Sequence, residues 1–164
     1  YYAVVKVTDR KGMENVQKEL GSRTVITLEN YLLKDSRTNM SRVVPEGTDG
    51  AKKAVLEYQV LGVEAGEELA LLRVKLHTGR HHQIRVQLSE AGMPILNDTK
   101  YGTTPDEENI KDTLRAVRDE ALALCSYRLV FSHPVTRKKL TFEVIPKGKS
   151  FALFSEDFGK KDNI

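Results

Sequence analysis

Cysteine is nearly missing from this chain of 164 residues: Cys125 stands alone. One thiol cannot build an internal disulfide framework, and such usage fits a reducing compartment, so a cytoplasmic location is expected. Long apolar runs are missing as well. No stretch approaches the roughly 20 apolar residues that a membrane-spanning helix needs, and no membrane partner is expected. The opening Tyr1-Tyr2-Ala3-Val4-Val5-Lys6 lacks a basic segment followed by an apolar one, so it does not read as a secretory signal. Strong charge of either sign is also lacking. The 26 Lys and Arg against 23 Asp and Glu leave a net of +3, which permits an anionic partner without demanding one. Internal repeats, low-complexity segments and a domain boundary are not visible.

What is present fits a single globular unit. The length is that of one domain, and 40% hydrophobic with 30% charged residues suits a buried core under a polar surface. Residues 1–164 are therefore read as one domain. Residues 1–7 are apolar and β-branched and read as a strand. Residues 9–21 are polar and turn-like, with a short helix over 13–20. Residues 23–33 are ambiguous, and 34–50, rich in Ser, Asn, Asp, Pro and Gly, read as a mobile surface stretch. Residues 54–61 read as a strand, 64–67 as a hairpin turn, and 68–77 as a second strand. In that second strand Ala70, Leu72, Val74 and Leu76 form an entirely apolar alternate set, as a half-buried strand requires.

Residues 80–91 carry Ile84, Leu88 and Ala91 at helical spacing, with Gly92 and Pro94 as stop signals, and the alternation of Ile84, Val86 and Leu88 makes a strand the minor alternative. Residues 105–121 read as a charged loop leading into a helix. Residues 122–132 and 139–145 read as two antiparallel strands about a turn at 133–137. The apolar Phe151, Leu153, Phe154 and Phe158 are expected to dock on the core. Strands that outnumber helices and are joined by hairpins give an α+β domain, a mostly antiparallel mixed sheet flanked by a few helices.

The densest chemistry lies in Thr78-Gly79-Arg80-His81-His82-Gln83-Ile84-Arg85. Glycine lets backbone come close to a ligand. Arginine presents a planar, permanently charged fork suited to phosphate or carboxylate. The glutamine amide matches a base edge. Such a cluster suits a nucleic-acid site, and a basic, solvated helix start is the plainer reading of the same residues. A metal is not expected. His77, His81, His82, His133 and Cys125 lack an HExxH pattern, and Gly79 interrupts the spacing of the first two histidines. Cys125 lies inside an apolar strand, where an inert buried thiol is the usual outcome.

That octapeptide resembles the TGRxHQIR motif of the RluA-type pseudouridine synthases. Three further segments agree in order. Met93-Pro94-Ile95-Leu96-Asn97-Asp98-Thr99-Lys100-Tyr101-Gly102 is similar to the family's HPIxGDxxYG segment. Leu124-Cys125-Ser126-Tyr127-Arg128-Leu129-Val130-Phe131-Ser132-His133-Pro134-Val135-Thr136 is similar to its LHAxxLxFxHPxT segment. The opening Tyr1-Tyr2-Ala3-Val4-Val5 is similar to its KxYxAxV segment, entered at the tyrosine. Met93, Asn97 and Cys125 depart from the family's His, Gly and His at supporting positions. The family's catalytic aspartate belongs to an HRLD segment, which these 164 residues do not contain. The resemblance therefore implies the C-terminal portion of a pseudouridine synthase catalytic domain, inactive alone.

The implied reaction is isomerisation of specific uridines to pseudouridine in structured RNA, with ribosomal RNA favoured over transfer RNA. It needs no cofactor and no metal, and a monomer is expected. Arg80 matches the basic partner of the aspartate, which would favour the ionised carboxylate. Tyr1 matches the active-site tyrosine, whose ring can stack on a base taken out of its helix. These two are the expected catalytic residues. His82, Gln83, Arg85 and Lys100 are the expected substrate-binding residues, positioning RNA or bracing the site. Asp98 takes a structural role. A non-catalytic RNA-binding module is the alternative, and a protein-interaction domain is a third class.

Overall fold

The structure, a computed structural model, describes residues 1–102, 117 and 121–159. Six strands form one sheet: β1 (Tyr2–Lys6), β2 (Val25–Asp35), β3 (Met40–Val44), β4 (Lys52–Glu64), β5 (Leu69–Leu76) and β6 (Leu124–Cys125). Their order is β3-β2-β4-β5-β1-β6, and every pairing is antiparallel. The α+β expectation holds, without a parallel pair among the described residues. A separate hairpin joins β7 (Arg128–Ser132) to β8 (Lys139–Glu143). The helices with described bounds are α1 (Arg10–Ser22), α2 (Gln83–Glu90) and α3 (Lys149–Ala152), with a single 3-10 turn at Ala65–Glu67 between β4 and β5.

Helix α1 is longer than the expected 13–20 because Asp9 caps it, its carboxylate accepting the Gly12 amide at 2.6 Å. Met13 and Val16 are buried on its inner side. Tyr58 of β4 donates to the Glu19 carboxylate at 3.2 Å, which fixes α1 on that sheet face. The Gln87 amide of α2 reaches the Leu28 and Ala54 carbonyls of the same face, so both helices cover one side. Side chains alternate across a strand, so Tyr2, Gln59 and Arg73 lie on the other side. There Tyr2 stacks on Tyr127 at 3.8 Å and meets Phe158.

This double cover corrects the half-buried reading of β5. Leu69, Leu71 and Arg73 are as buried as Ala70, Leu72 and Val74. Of residues 34–50, expected to be a mobile surface stretch, 34–44 complete a hairpin and 45–50 follow it as turns. Asp35 accepts the Arg37 amide at 2.8 Å, Asn39 takes positive φ, and β3 returns along β2. The polar residues there are turn chemistry. The stretch 122–132 is not one strand. It breaks at Ser126 and Tyr127, where the Tyr127 ring turns onto Tyr2. The charged run 105–121 lies outside the described residues apart from Val117 and Ala121.

Phe151 and Phe154 dock on the core as expected. Phe154 lies over Gly62, next to the register shift in β4. A Cβ at Gly62 would collide with the Asp157 carboxylate and come within 3.0 Å of Phe154. The β7–β8 hairpin is amphipathic. Leu129 opposes Phe142 and Phe131 opposes Leu140 on one face, while the Arg128–Glu143 ion pair lies on the other.

Candidate functional site

Where β5 ends, its partner β4 still offers the backbone of Val55. The loop after β5 completes that pairing with side chains. The Val55 carbonyl accepts the His77 and Thr78 amides at 3.0 and 3.3 Å and the Gln83 amide nitrogen at 3.0 Å. The Val55 N–H donates to the Thr78 hydroxyl at 2.8 Å. The Gln83 amide oxygen accepts that hydroxyl at 2.8 Å and the Arg80 backbone N–H at 2.9 Å. Thr78 and Gln83 thus clamp the loop that carries Arg80, and α2 begins directly after it.

Arg80 itself is exposed. Its Nε donates to the Lys53 carbonyl at 2.9 Å, which fixes the stem and leaves the terminal fork outward. Among the described residues no carboxylate pairs with it. A Cβ at Gly79 would meet nothing within 4 Å, so the glycine leaves open surface beside the guanidinium. Tyr1 extends β1 by one residue: the Val74 N–H donates to its carbonyl at 2.8 Å. Since β5 runs from Val74 towards the Arg80 loop, Tyr1 and Arg80 share one end of the sheet, but no hydrogen bond joins them.

Gln83 and Arg85, expected among the substrate-binding residues, are placed as braces. Gln83 is buried, and both ends of its amide are engaged inside the chain. Arg85 makes a two-pronged pair with Asp98, Nε to Oδ2 at 2.8 Å and a terminal nitrogen to Oδ1 at 2.6 Å, over the Tyr101 ring. The Asp98 side chain is fully buried. Burial pushes its carboxyl up, but the Arg85 pair and the Lys100 and Tyr101 amides outweigh this and hold it below the usual carboxylate value. Nε and one terminal nitrogen of Arg85 are thus engaged inside the chain.

His82 stands at positive φ (54°) just before α2, with Nδ1 on the Tyr101 hydroxyl at 2.9 Å and its ring half-buried. The His81 ring lies against it, 3.8 Å between ring centres and tilted by 30°, and bonds Ser41 at 3.0 Å. Burial, then neighbouring cations, lowers the pKa of both rings and favours the neutral form. Lys100 is exposed, and its ammonium donates to the Asn39 carbonyl at 3.2 Å. His77 turns away to Glu57 at 3.0 Å, so the three neighbouring histidines serve three different partners.

Sequence reasoning did not single out Tyr101, Ser41 or Arg73. Tyr101 joins His82 to the Ser41 N–H, which reaches its hydroxyl at 2.8 Å. Its one sequence signal was the Tyr-Gly pair closing a matched segment. Two departures from the motif gain a physical account. Asn97 stands at φ 64°, a conformation that glycine adopts freely and asparagine tolerates, and its side chain donates to the Val117 carbonyl at 2.7 Å. Met93 is buried in the core, where no polar group is required.

Comparison with known proteins follows from this geometry. A family model described as RNA pseudouridylate synthase matches residues 1–90. An uncharacterized RNA pseudouridine synthase of Aquifex aeolicus is 39% identical over 93 residues, 57% of this chain and 29% of that protein. The ribosomal large subunit pseudouridine synthase D of Vibrio parahaemolyticus is 30% identical over 140 residues, 79% of this chain and 41% of that protein. The chain thus spans less than half the length of these curated relatives. In fold it is similar to the human RNA pseudouridylate synthase domain containing 4, with a TM-score of 0.63 at 19% identity, over 92% of this chain and 59% of that one.

Proposed function

The chain belongs to the RNA pseudouridylate synthase family, in its RluA-type branch, and from that premise we propose that it carries part of a site that isomerises uridine to pseudouridine in structured RNA, ribosomal RNA foremost. The reaction breaks the bond from a base nitrogen to the ribose, turns the base and rebonds it through carbon, with no atom gained or lost. The observation that carries the reading is Arg80: its stem is anchored on Lys53 and its fork is held out beside the open surface at Gly79. A guanidinium so placed suits two tasks, holding a carboxylate ionised and gripping a phosphate. Tyr1, at the same end of the sheet, would stack on the base taken out of its helix. His82 and Lys100 face the RNA, while Gln83 and Arg85 keep the loop and α2 in place. Residues 1–164 act as one domain, in the cytoplasm, as a monomer and without a metal or organic cofactor.

Asp98 is committed to Arg85, so it does not supply the reacting carboxylate. No HRLD segment occurs in the 164 residues. These residues alone are expected to bind RNA without isomerising it. The test measures pseudouridine formed in a ribosomal RNA transcript by this chain and by a version joined to an HRLD-bearing segment. The joined form is expected to turn over, and turnover by the shorter chain would overturn the missing-carboxylate account. The alternative, a non-catalytic RNA-binding module, draws on one observation: no described carboxylate faces Arg80. It predicts RNA affinity for both versions and turnover by neither.

A further inference from the structure

We propose that the adjoining rings of His81 and His82, flanked by Lys34 and Lys100, form a second phosphate-contact point that holds an RNA strand along the β2–β3 hairpin, separate from Arg80. The inference rests on the RNA reading above and names a surface that the Arg80 loop alone does not supply. Lys34 pairs with Ser41 across β2 and β3, so both project from the face that α2 covers. Ser41 ties that hairpin to the histidines twice, through its hydroxyl to His81 and its N–H to Tyr101. Lys100 ties the turn after Asp98 to the hairpin through the Asn39 carbonyl. Hairpin, turn and α2 are therefore one assembled surface.

The hydrogen bonds allow one donor arrangement. The Tyr101 hydroxyl accepts the Ser41 N–H and keeps its own hydrogen, which can go to His82 Nδ1. The Ser41 hydroxyl can do the same for His81 Nδ1. In that tautomer each neutral ring carries its proton on Nε2, a donor suited to an anionic oxygen. Lys34 and Lys100 are exposed, and no described carboxylate pairs with either. The charge of Arg85 behind them is balanced by Asp98. Among the described residues the local surplus is thus positive, with donors at its centre, which suits a phosphodiester.

The test measures fluorescence anisotropy of a labelled stem–loop RNA with uridines in its loop, from 50 to 200 mM salt. Each phosphate contact contributes about 0.7 to the slope of log affinity against log salt on a single strand. The double substitution Lys34→Gln with Lys100→Gln is expected to reduce that slope by about 1.4, with an unchanged thermal melt. His81→Ala is expected to weaken binding about tenfold, the loss of one hydrogen bond to a charged group. If the original chain binds and the lysine variants keep its slope, the second contact point is overturned while the Arg80 reading stands. If the original chain binds no RNA at any salt, both fall together.

Discussion

Asp98 shows how a single buried charge is made tolerable. Its two oxygens meet the Arg85 fork, and Oδ1 also accepts the Lys100 and Tyr101 amides at 2.9 and 3.0 Å. Removing the cation strands a buried carboxylate, so Arg85→Ala is expected to cost about 3 kcal/mol in urea unfolding. Because folding lowers the Asp98 pKa, its stabilisation is present above the unfolded value of about 3.9 and is lost as pH falls through the lower folded value. Asp98→Asn should therefore flatten the acid limb of the stability curve below about pH 4. An unchanged limb would remove Asp98 from the account. Motif spacing made Arg80, Tyr1 and Asp98 visible in the sequence. It could not show that Gln83 and Arg85 face inward, because their partners, Val55 and Asp98, become neighbours only once the sheet and the turn have formed.

At the scale of elements, the legible parts were those whose periodicity is local. β1, β5 and α2 follow from apolar spacing alone. The first helix was under-read because its start depends on a cap and not on a stripe. Asp9→Ala is expected to lower stability by about 1 kcal/mol and Asp9→Asn by much less, read from thermal or urea melts. The β2–β3 hairpin was missed for a related reason. Asp35, Asn39 and their polar neighbours look like a loop in sequence, yet they are the residues that a tight turn requires. The burial of Arg73 was illegible, since its strand alternates cleanly and only the far-off Tyr127 and the C-terminal aromatics close its second face.

For the molecule as a whole, the first strand and the aromatic segment 151–158 meet on one sheet. β1 lies between β5 and β6, and the aromatic segment after α3 seals the face opposite α1 and α2. Gly62 makes that seal possible. Gly62→Ala is expected to displace Asp157 and Phe154 and to cost about 1–3 kcal/mol as overpacking. Near-ultraviolet circular dichroism should report the disturbed Tyr2, Tyr127 and Phe158 cluster, and an unaltered spectrum with unaltered stability would show that the segment does not seat there. Because β1 and β5 are paired, Tyr1 and the loop that carries Arg80 come at the same end of the sheet, with that loop anchored on β4 through Lys53 and Val55.

The most direct measurement is pseudouridine formed per molecule of ribosomal RNA transcript by the version joined to an HRLD-bearing segment, with Arg80 intact and with Arg80→Lys. A lysine keeps the charge but loses the planar fork. The intact form is predicted to turn over, and Arg80→Lys to lose about 10²–10³ in rate, the scale of removing one preorganised electrostatic contact. Equal rates from the two forms would contradict the role given to Arg80.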